Sequence, residues 1–269
     1  MKKTGLSIAG FDPSGGAGVM ADVKTFESLG LYGLGVITTL TVQDTKKVYR
    51  AESLEPQLVF EQIIRLFEDF QIDVVKIGML GNESVVRSVC KALKNIGEVP
   101  IVLDPVILSS SGHELLDEDG IEFMIDQLLP LATIITPNLM EAERISGISI
   151  TSRIDMENAA RLIQFKGAQT VIIKGGHRKE DADDLLFHKM KMSWYPSQRS
   201  QTESVHGSGC VYSSAIAGNY ALNNEIEEVV KNAKGYILKA INHSLSLGKG
   251  ENLIDHGKGF EEVVSFKNG

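Results

Sequence analysis

The chain has no surplus of basic charge: 27 Lys and Arg stand against 35 Asp and Glu, a net charge of −8 over 269 residues. A protein that grips a phosphate backbone needs the opposite balance, so nucleic acid is not an expected partner. Cysteine is scarce. Cys90 and Cys210 lie far apart without metal-type spacing, which removes a disulfide framework and a zinc site from consideration. The six histidines show no pair at ligand spacing on one helix. Long apolar runs are missing as well. No segment approaches the ~18 residues of a membrane span, and glycine and aspartate interrupt the short apolar run after the N-terminal lysines before a secretory core can form. The expectation is a cytoplasmic protein with no membrane partner. The two standard nucleotide fingerprints are also absent: there is no G-x-x-x-x-G-K-[ST], and the glycines after Gly10 do not fall at G-x-G-x-x-G.

What is present is enough apolar material for a sizeable core, 43% hydrophobic against 23% charged residues. Strand-length apolar runs alternate with amphipathic stretches of helix length, the pattern of a mostly parallel sheet covered by helices, hence an α/β fold. Strands are predicted at Leu6 to Ala9, Gly35 to Val42, Val74 to Ile77, Ile101 to Leu103, Ile134 to Ile135 and Val171 to Ile173. Val19, Val23, Phe26 and Leu29 fall at helical spacing after the first strand. Further helices are expected from about Pro56 to Phe70 and from Ser84 to Ile96, with one opening after Asn138 and the last two at Ser213 to Leu222 and Glu225 to Leu245. Leu185 to Tyr195 alternates loosely, as a hairpin would. No linker, repeat or low-complexity tract divides residues 1–269, so one domain is expected.

Several segments carry chemistry. In HGSGCVYSSAIAG, two glycines and small polar groups precede an amphipathic helix, so backbone N–H groups can converge there as an anion hole for a transferring phosphoryl group. The same residues also suit a tight turn capped by Ser208. Cys210 sits near the helix end, where the dipole favours a thiolate able to take a hydroxyl proton; the alternative is a small buried apolar residue, the role expected of Cys90. GFDPSGGAGVMAD, from Gly10 to Asp22, again joins strand to helix through glycines and suits either a plain turn or the lining of a ligand pocket. Asp104 follows a strand, at the sheet edge where open α/β folds collect ligands, and such carboxylates commonly hold magnesium. Asn138 and Glu141 have capping-box spacing, which spacing alone favours, or face a hydrated magnesium. Lys174, leaving a strand into two glycines, is either a solvated strand end or a cation for triphosphate oxygens. His206 is left open between a functional and a turn residue.

Taken in order, GFDPSGGAG, KIGML, LDPV, TPN with its following EAE, IKGGH and HGSGC resemble the motif series of hydroxymethylpyrimidine and phosphomethylpyrimidine kinases, of the ribokinase-like superfamily. The resemblance spans about Leu6 to Gly259. It implies a three-layer ribokinase-like fold, a central mostly parallel sheet flanked by helices on both faces, with ATP and Mg2+ as cofactors. The implied reaction phosphorylates 4-amino-5-hydroxymethyl-2-methylpyrimidine and then its monophosphate, in thiamine synthesis. It also implies roles. Gly207, Ser208, Gly209 and Cys210 match the catalytic anion hole, and Gln43 matches the glutamine whose amide pairs with the aminopyrimidine edge. Gly10, Asp22 and Met79 match positions lining the same pocket. Asp104 and Glu141 match the magnesium surroundings, and Lys174 and Asn138 the nucleotide and phosphate side. A homodimer is a further expectation of the resemblance.

Three departures stand out: Asp44 where asparagine is common, Ser208 for threonine, and Val211-Tyr212 for a threonine-leucine pair. The last is expected to reshape the pocket beside Cys210. Two other activities share these motifs. Pyridoxal kinases carry the same GxGC turn and act on a ring hydroxymethyl group, alone or alongside the pyrimidine. A non-catalytic ligand sensor would keep the fold without the reaction, although Cys210, Asp104 and Lys174 speak against it.

Overall fold

A computed structural model describes residues 1–109, 112–176, 182–196, 205–223 and 225–257. His177 of the IKGGH run, and the end of the resemblance at Gly259, lie outside the described residues.

Nine strands form one sheet: β1 (Thr4–Phe11), β2 (Tyr32–Gln43), β3 (Val48–Ser53), β4 (Val74–Ile77), β5 (Ile101–Leu103), β6 (Ile134–Ile135), β7 (Thr170–Ile173), β8 (Asp184–His188) and β9 (Lys191–Tyr195). Their spatial order is β3-β2-β1-β4-β5-β6-β7-β8-β9. From β2 through β7 every pairing is parallel, while β3, β8 and β9 add antiparallel edges. Among the described residues, eight α-helices accompany it: α1 (Gly18–Ser28), α2 (Pro56–Asp69), α3 (Glu83–Asn95), α4 (Glu118–Phe123), α5 (Leu139–Ser146), α6 (Arg153–Phe165), α7 (Ser208–Leu222) and α8 (Ile226–Asn242). A two-stranded parallel pair, β10 (Val205–His206) with β11 (Asn252–Leu253), lies apart from this sheet.

Strand residues divide by twos between two cores, as the pleat requires. Val75, Ile77, Leu103 and Ile135 face the layer containing α2, α3 and α6. Val74, Val102, Ile134 and Ile172 face α7 and α8. Each fully buried aliphatic side chain contributes about 1.5–3 kcal/mol, so the sheet is held from both sides. The result is the α/β, three-layer ribokinase-like fold.

Helix starts follow local chemistry. Glu55 caps α2 by accepting from the Leu58 N–H at 2.9 Å, with Pro56 at the first position. Asn82 accepts from Val85 N–H at 3.0 Å to open α3. Helix α6 lies outside the expected elements, although Ser152 and Asp155 make a full capping box. Strand β3 was likewise not expected, because its mostly exposed side chains give little apolar alternation. The hairpin at Leu185 to Tyr195 is present as β8 and β9, turning through Lys189 and Met190 with φ of 46° and 61°. Helix α7 begins at Ser208, five residues before the expected start, because the apolar pattern starts later than the backbone does. Among the described residues, no helix is long and apolar enough to cross a membrane.

The segment after β11 returns to α1 and α8 through His256, whose Nδ1 lies 3.3 Å from Thr25 Oγ1 and 3.4 Å from Tyr236 Oη. Burial, with Lys24 nearby, pulls the imidazole pKa down to about 4. The unfolded chain therefore takes up this proton first as pH falls. Stability from the neutral ring is complete above about pH 6.5 and is lost between there and about pH 4. Discounted for partial exposure, the loss is about 1–2 kcal/mol. Denaturant unfolding at pH 7 and 4.5 checks it: His256→Gln should remove that part of the pH dependence.

Candidate active site

Strand order reverses at β1, whose chain neighbour β2 lies on one side and β4 on the other, and open α/β sheets place ligands at such switch points beyond the strand carboxyl ends. A cleft of about 380 Å³ opens there. Its floor joins two glycine-rich turns distant in sequence. Gly207 has φ of +74°, and a Cβ on it would stand 1.8 Å from the Gly16 carbonyl oxygen. Gly18 has φ of +58°, and a Cβ there would stand 2.1 Å from the Gly10 carbonyl oxygen. Only glycine fits such left-handed, backbone-to-backbone contacts. Gly207→Ala is therefore expected to cost at least ~1–2 kcal/mol of stability and most of the activity, read by thermal melting and turnover.

Gly207 rather than Ser208 is the N-cap of α7, and no side chain caps this end. The leading N–H groups at Ser208, Gly209 and Cys210 are thus left for an anion from the cleft, which these residues line. The expected lowering of the Cys210 pKa is not found. Burial raises it, Asp104 and Asp22 add to the rise, and Lys76 and the Gly18 backbone oppose without prevailing. Burial therefore favours the thiol form of Cys210. Cys90 is buried at 3% exposure, its pKa pushed up to about 11 by burial, as expected of a core residue.

Opposite the turn, Lys174 Nζ donates to Asp104 Oδ1 at 2.7 Å, and Ser213 Oγ on α7 donates to Asp104 Oδ2 at 3.1 Å. Burial pulls the Lys174 pKa down, but Asp104 and Glu141 outweigh it and hold the ammonium charged. Asn138 and Glu141 form the capping box of α5: Asn138 N–H donates to Glu141 Oε2 at 2.8 Å and Glu141 N–H to Asn138 Oδ1 at 2.9 Å. Both still line the cleft. Burial raises the Glu141 pKa to about 7, Lys174 opposing and Asp104 adding. No cluster of three metal-ligating groups occurs among the described residues. Two carboxylates lining the same cleft as the α7 N-terminus nevertheless fit magnesium, which binds through one or two carboxylates, waters and substrate phosphates.

Gln43, at the end of β2, also lines the cleft. Its Nε2 lies 2.9 Å from His206 Nε2, and that ring nitrogen lies 2.8 Å from Asp12 Oδ2. Gly10, Asp22 and Met79 stand behind the wall. A Cβ at position 10 would meet the Met79 sulfur at 2.8 Å. The Asp22 carboxylate is fully buried, accepting from Ser7 Oγ at 2.6 Å, Ser214 Oγ at 2.7 Å and Lys76 Nζ at 2.9 Å. It reaches the cleft through these neighbours and through its charge, which acts on Cys210. Val211 and Tyr212 do not reshape the pocket as expected: both are buried against α8, and Tyr212 Oη donates to Asp184 Oδ2 at 2.8 Å.

The family model for phosphomethylpyrimidine kinase matches residues 12–255. The chain belongs to the phosphomethylpyrimidine kinase family. It is accordingly a phosphotransferase of this family. It is 45% identical over 251 residues to a hydroxymethylpyrimidine/phosphomethylpyrimidine kinase of Aquifex aeolicus, covering 93% of this chain and 98% of that one. A phosphomethylpyrimidine kinase structure from Clostridium difficile is 42% identical, with a TM-score of 0.81 over 89% of this chain and 100% of that one. A pyridoxal kinase from Staphylococcus aureus solved with ADP is 32% identical, with a TM-score of 0.88 over 96% and 94% of the two chains. ATP use by this kinase accords with that family.

Sequence reasoning passed over three members of the site. Asp12 lay in the GFDPSGG run and Lys76 in KIGML, both quoted as motifs without a role. Ser213 follows Cys210 by three residues, the helical interval that turns it toward Asp104. An acid or a lysine inside an otherwise apolar strand or a glycine turn was the available signal.

Proposed function

We propose that the protein transfers the γ-phosphoryl group of ATP to the hydroxymethyl oxygen of 4-amino-5-hydroxymethyl-2-methylpyrimidine, then transfers a second to the monophosphate, yielding the diphosphate used in thiamine synthesis. The observation that carries this reading is the convergence, in one cleft, of the uncapped α7 N-terminus, the Lys174 ammonium and the Gln43 amide. The α7 N–H groups and Lys174 face the charge that develops on the transferring oxygens and need not reorganise as it forms. Gln43 offers both a donor and an acceptor to an aminopyrimidine edge. Cys210, at the third position of α7, orients the hydroxyl and, in its thiolate form, which the Lys76 ammonium favours against burial, takes the hydroxyl proton as the bond to phosphorus forms and becomes the thiol. Asp104 and Glu141 would hold Mg2+ through water, and the ion would neutralise phosphate charge when bound. One kinase domain suffices, because the strand ends of one sheet and the helices packed on it supply every group named.

Pyridoxal is the rival substrate, supported by the similarity to the Staphylococcus aureus enzyme. Incubation with MgATP and either the pyrimidine or pyridoxal, followed by mass spectrometry, separates them. The expected result is mono- and diphosphate of the pyrimidine. Phosphorylated pyridoxal alone, or no product from folded protein, would overturn the proposal.

A further inference from the structure

Two partners compete for one ring nitrogen in the cleft wall. His206 Nε2 lies 2.8 Å from Asp12 Oδ2 and 2.9 Å from Gln43 Nε2. Asp12 accepts from the Ser14 N–H at 2.8 Å, the Ser14 hydroxyl at 2.9 Å and the Ala17 N–H at 3.0 Å. It is an ionised acceptor with no proton to give, so the His206 ring must carry hydrogen on Nε2 and donate it to Asp12. An amide NH2 facing that same N–H sets donor against donor. Turned by 180°, the Gln43 amide presents Oε1 to His206, and its NH2 falls toward the Thr41 hydroxyl, 3.2 Å from that end. Thr41 suits this orientation: its own hydrogen goes to the Phe11 carbonyl at 2.9 Å, leaving lone pairs free to accept. In the turned orientation the ring N–H is shared between two acceptors, Asp12 Oδ2 and Gln43 Oε1, and the amide NH2 meets a hydroxyl acceptor, whereas the other orientation sets two donors against each other.

We propose that His206, tied to Asp12, is a positioning residue that fixes the Gln43 amide in this orientation and thereby selects the polarity of the substrate ring. The inference rests on the pyrimidine reading above. The free lone pair of Oε1 and one N–H of Nε2 match a ring edge that carries an amino group beside an acceptor nitrogen. The amino group then lies on the His206 side and the ring nitrogen on the Thr41 side. The hydroxymethyl group is attached next to the amino-bearing carbon, so the same choice sends the reacting hydroxyl to the His206 side. From there the chain runs straight into Gly207 and Cys210. The opposite amide orientation would direct the hydroxyl away from the turn.

Calorimetric binding of the 4-amino pyrimidine and of its 4-oxo analogue, whose edge reverses donor and acceptor, tests this. The native protein is expected to prefer the amino compound by about 100-fold or more. His206→Leu should bring the ratio within about tenfold, and His206→Gln, which keeps a donor near the Nε2 position, should restore most of the preference. Thr41→Val removes the other anchor and should relax the ratio likewise, which keeps the test decisive if His206→Leu fails to fold. An unaltered ratio in either folded variant overturns the proposal, because a merely structural loss weakens both ligands together. Phosphoryl transfer is measured separately on the same proteins. Relaxed binding preference without any product would refute the kinase reading and leave this one standing, and native protein that binds neither pyrimidine would overturn both.

Discussion

Cys210→Ala is expected to lower turnover by about 10²–10⁴-fold, the range for a positioned acid or base, while the melting temperature moves by no more than a few degrees. The thiol faces the cleft rather than the core, so its loss leaves no large cavity. Steady-state rates at saturating ATP and thermal melting of the purified variant check both halves. Unchanged turnover in folded protein would remove Cys210 from the reaction. A second reading comes from pH. Burial holds the thiol pKa above its ordinary value, so if the thiolate is the acting form the native rate should climb through the alkaline range. A flat profile there would leave Cys210 as an orienting group and part of the anion turn.

Lys76→Met is expected to cost about 3–5 kcal/mol, because it strands the Asp22 carboxylate in the core. Both side chains are fully buried, 2.9 Å apart, on the sheet face that packs against α1 and α7. Burial pulls the Lys76 pKa down, but Asp22, with Asp104 beyond it, outweighs burial and keeps the ammonium charged. Removing both charges, as in Lys76→Met with Asp22→Leu, should recover part of the loss. The recovery stays incomplete because the Ser7 and Ser214 hydroxyls lose their acceptor. Urea unfolding of the single and double variants measures this, and a single-variant loss under ~1 kcal/mol would show that water reaches the pair. Ser214 sits one helical turn beyond Cys210, so the same buried pair also anchors α7 beneath its N-terminus.

Much of the machinery was legible because it is local. The capping box at Asn138 and Glu141 is a four-residue pattern, and both partners supply each other. The turn before α7 is marked by its glycines alone, whereas α7 itself is not the expected amphipathic helix: it is buried continuously from Val211 to Gly218. What resisted reading depends on the identity of neighbours far along the chain. Asp22 looked like a pocket residue by its motif, yet it lies behind the wall because Ser7, Lys76 and Ser214 come from three other elements to meet it. Cys210 looked activated by its helix end, yet burial and two distant carboxylates reverse the shift.

The alternation of strands and helices, the glycine turns and the motif order that marks the kinase family are written in the chain's local pattern, since periodicity and turn chemistry act over a few residues. Only the tertiary structure decided the charge state of Cys210, the burial of the Asp22–Lys76 pair and the contact of Gln43 with His206, 163 positions away in the chain. Solvation and through-space charge depend on which segments the fold brings together, and no local pattern encodes that proximity.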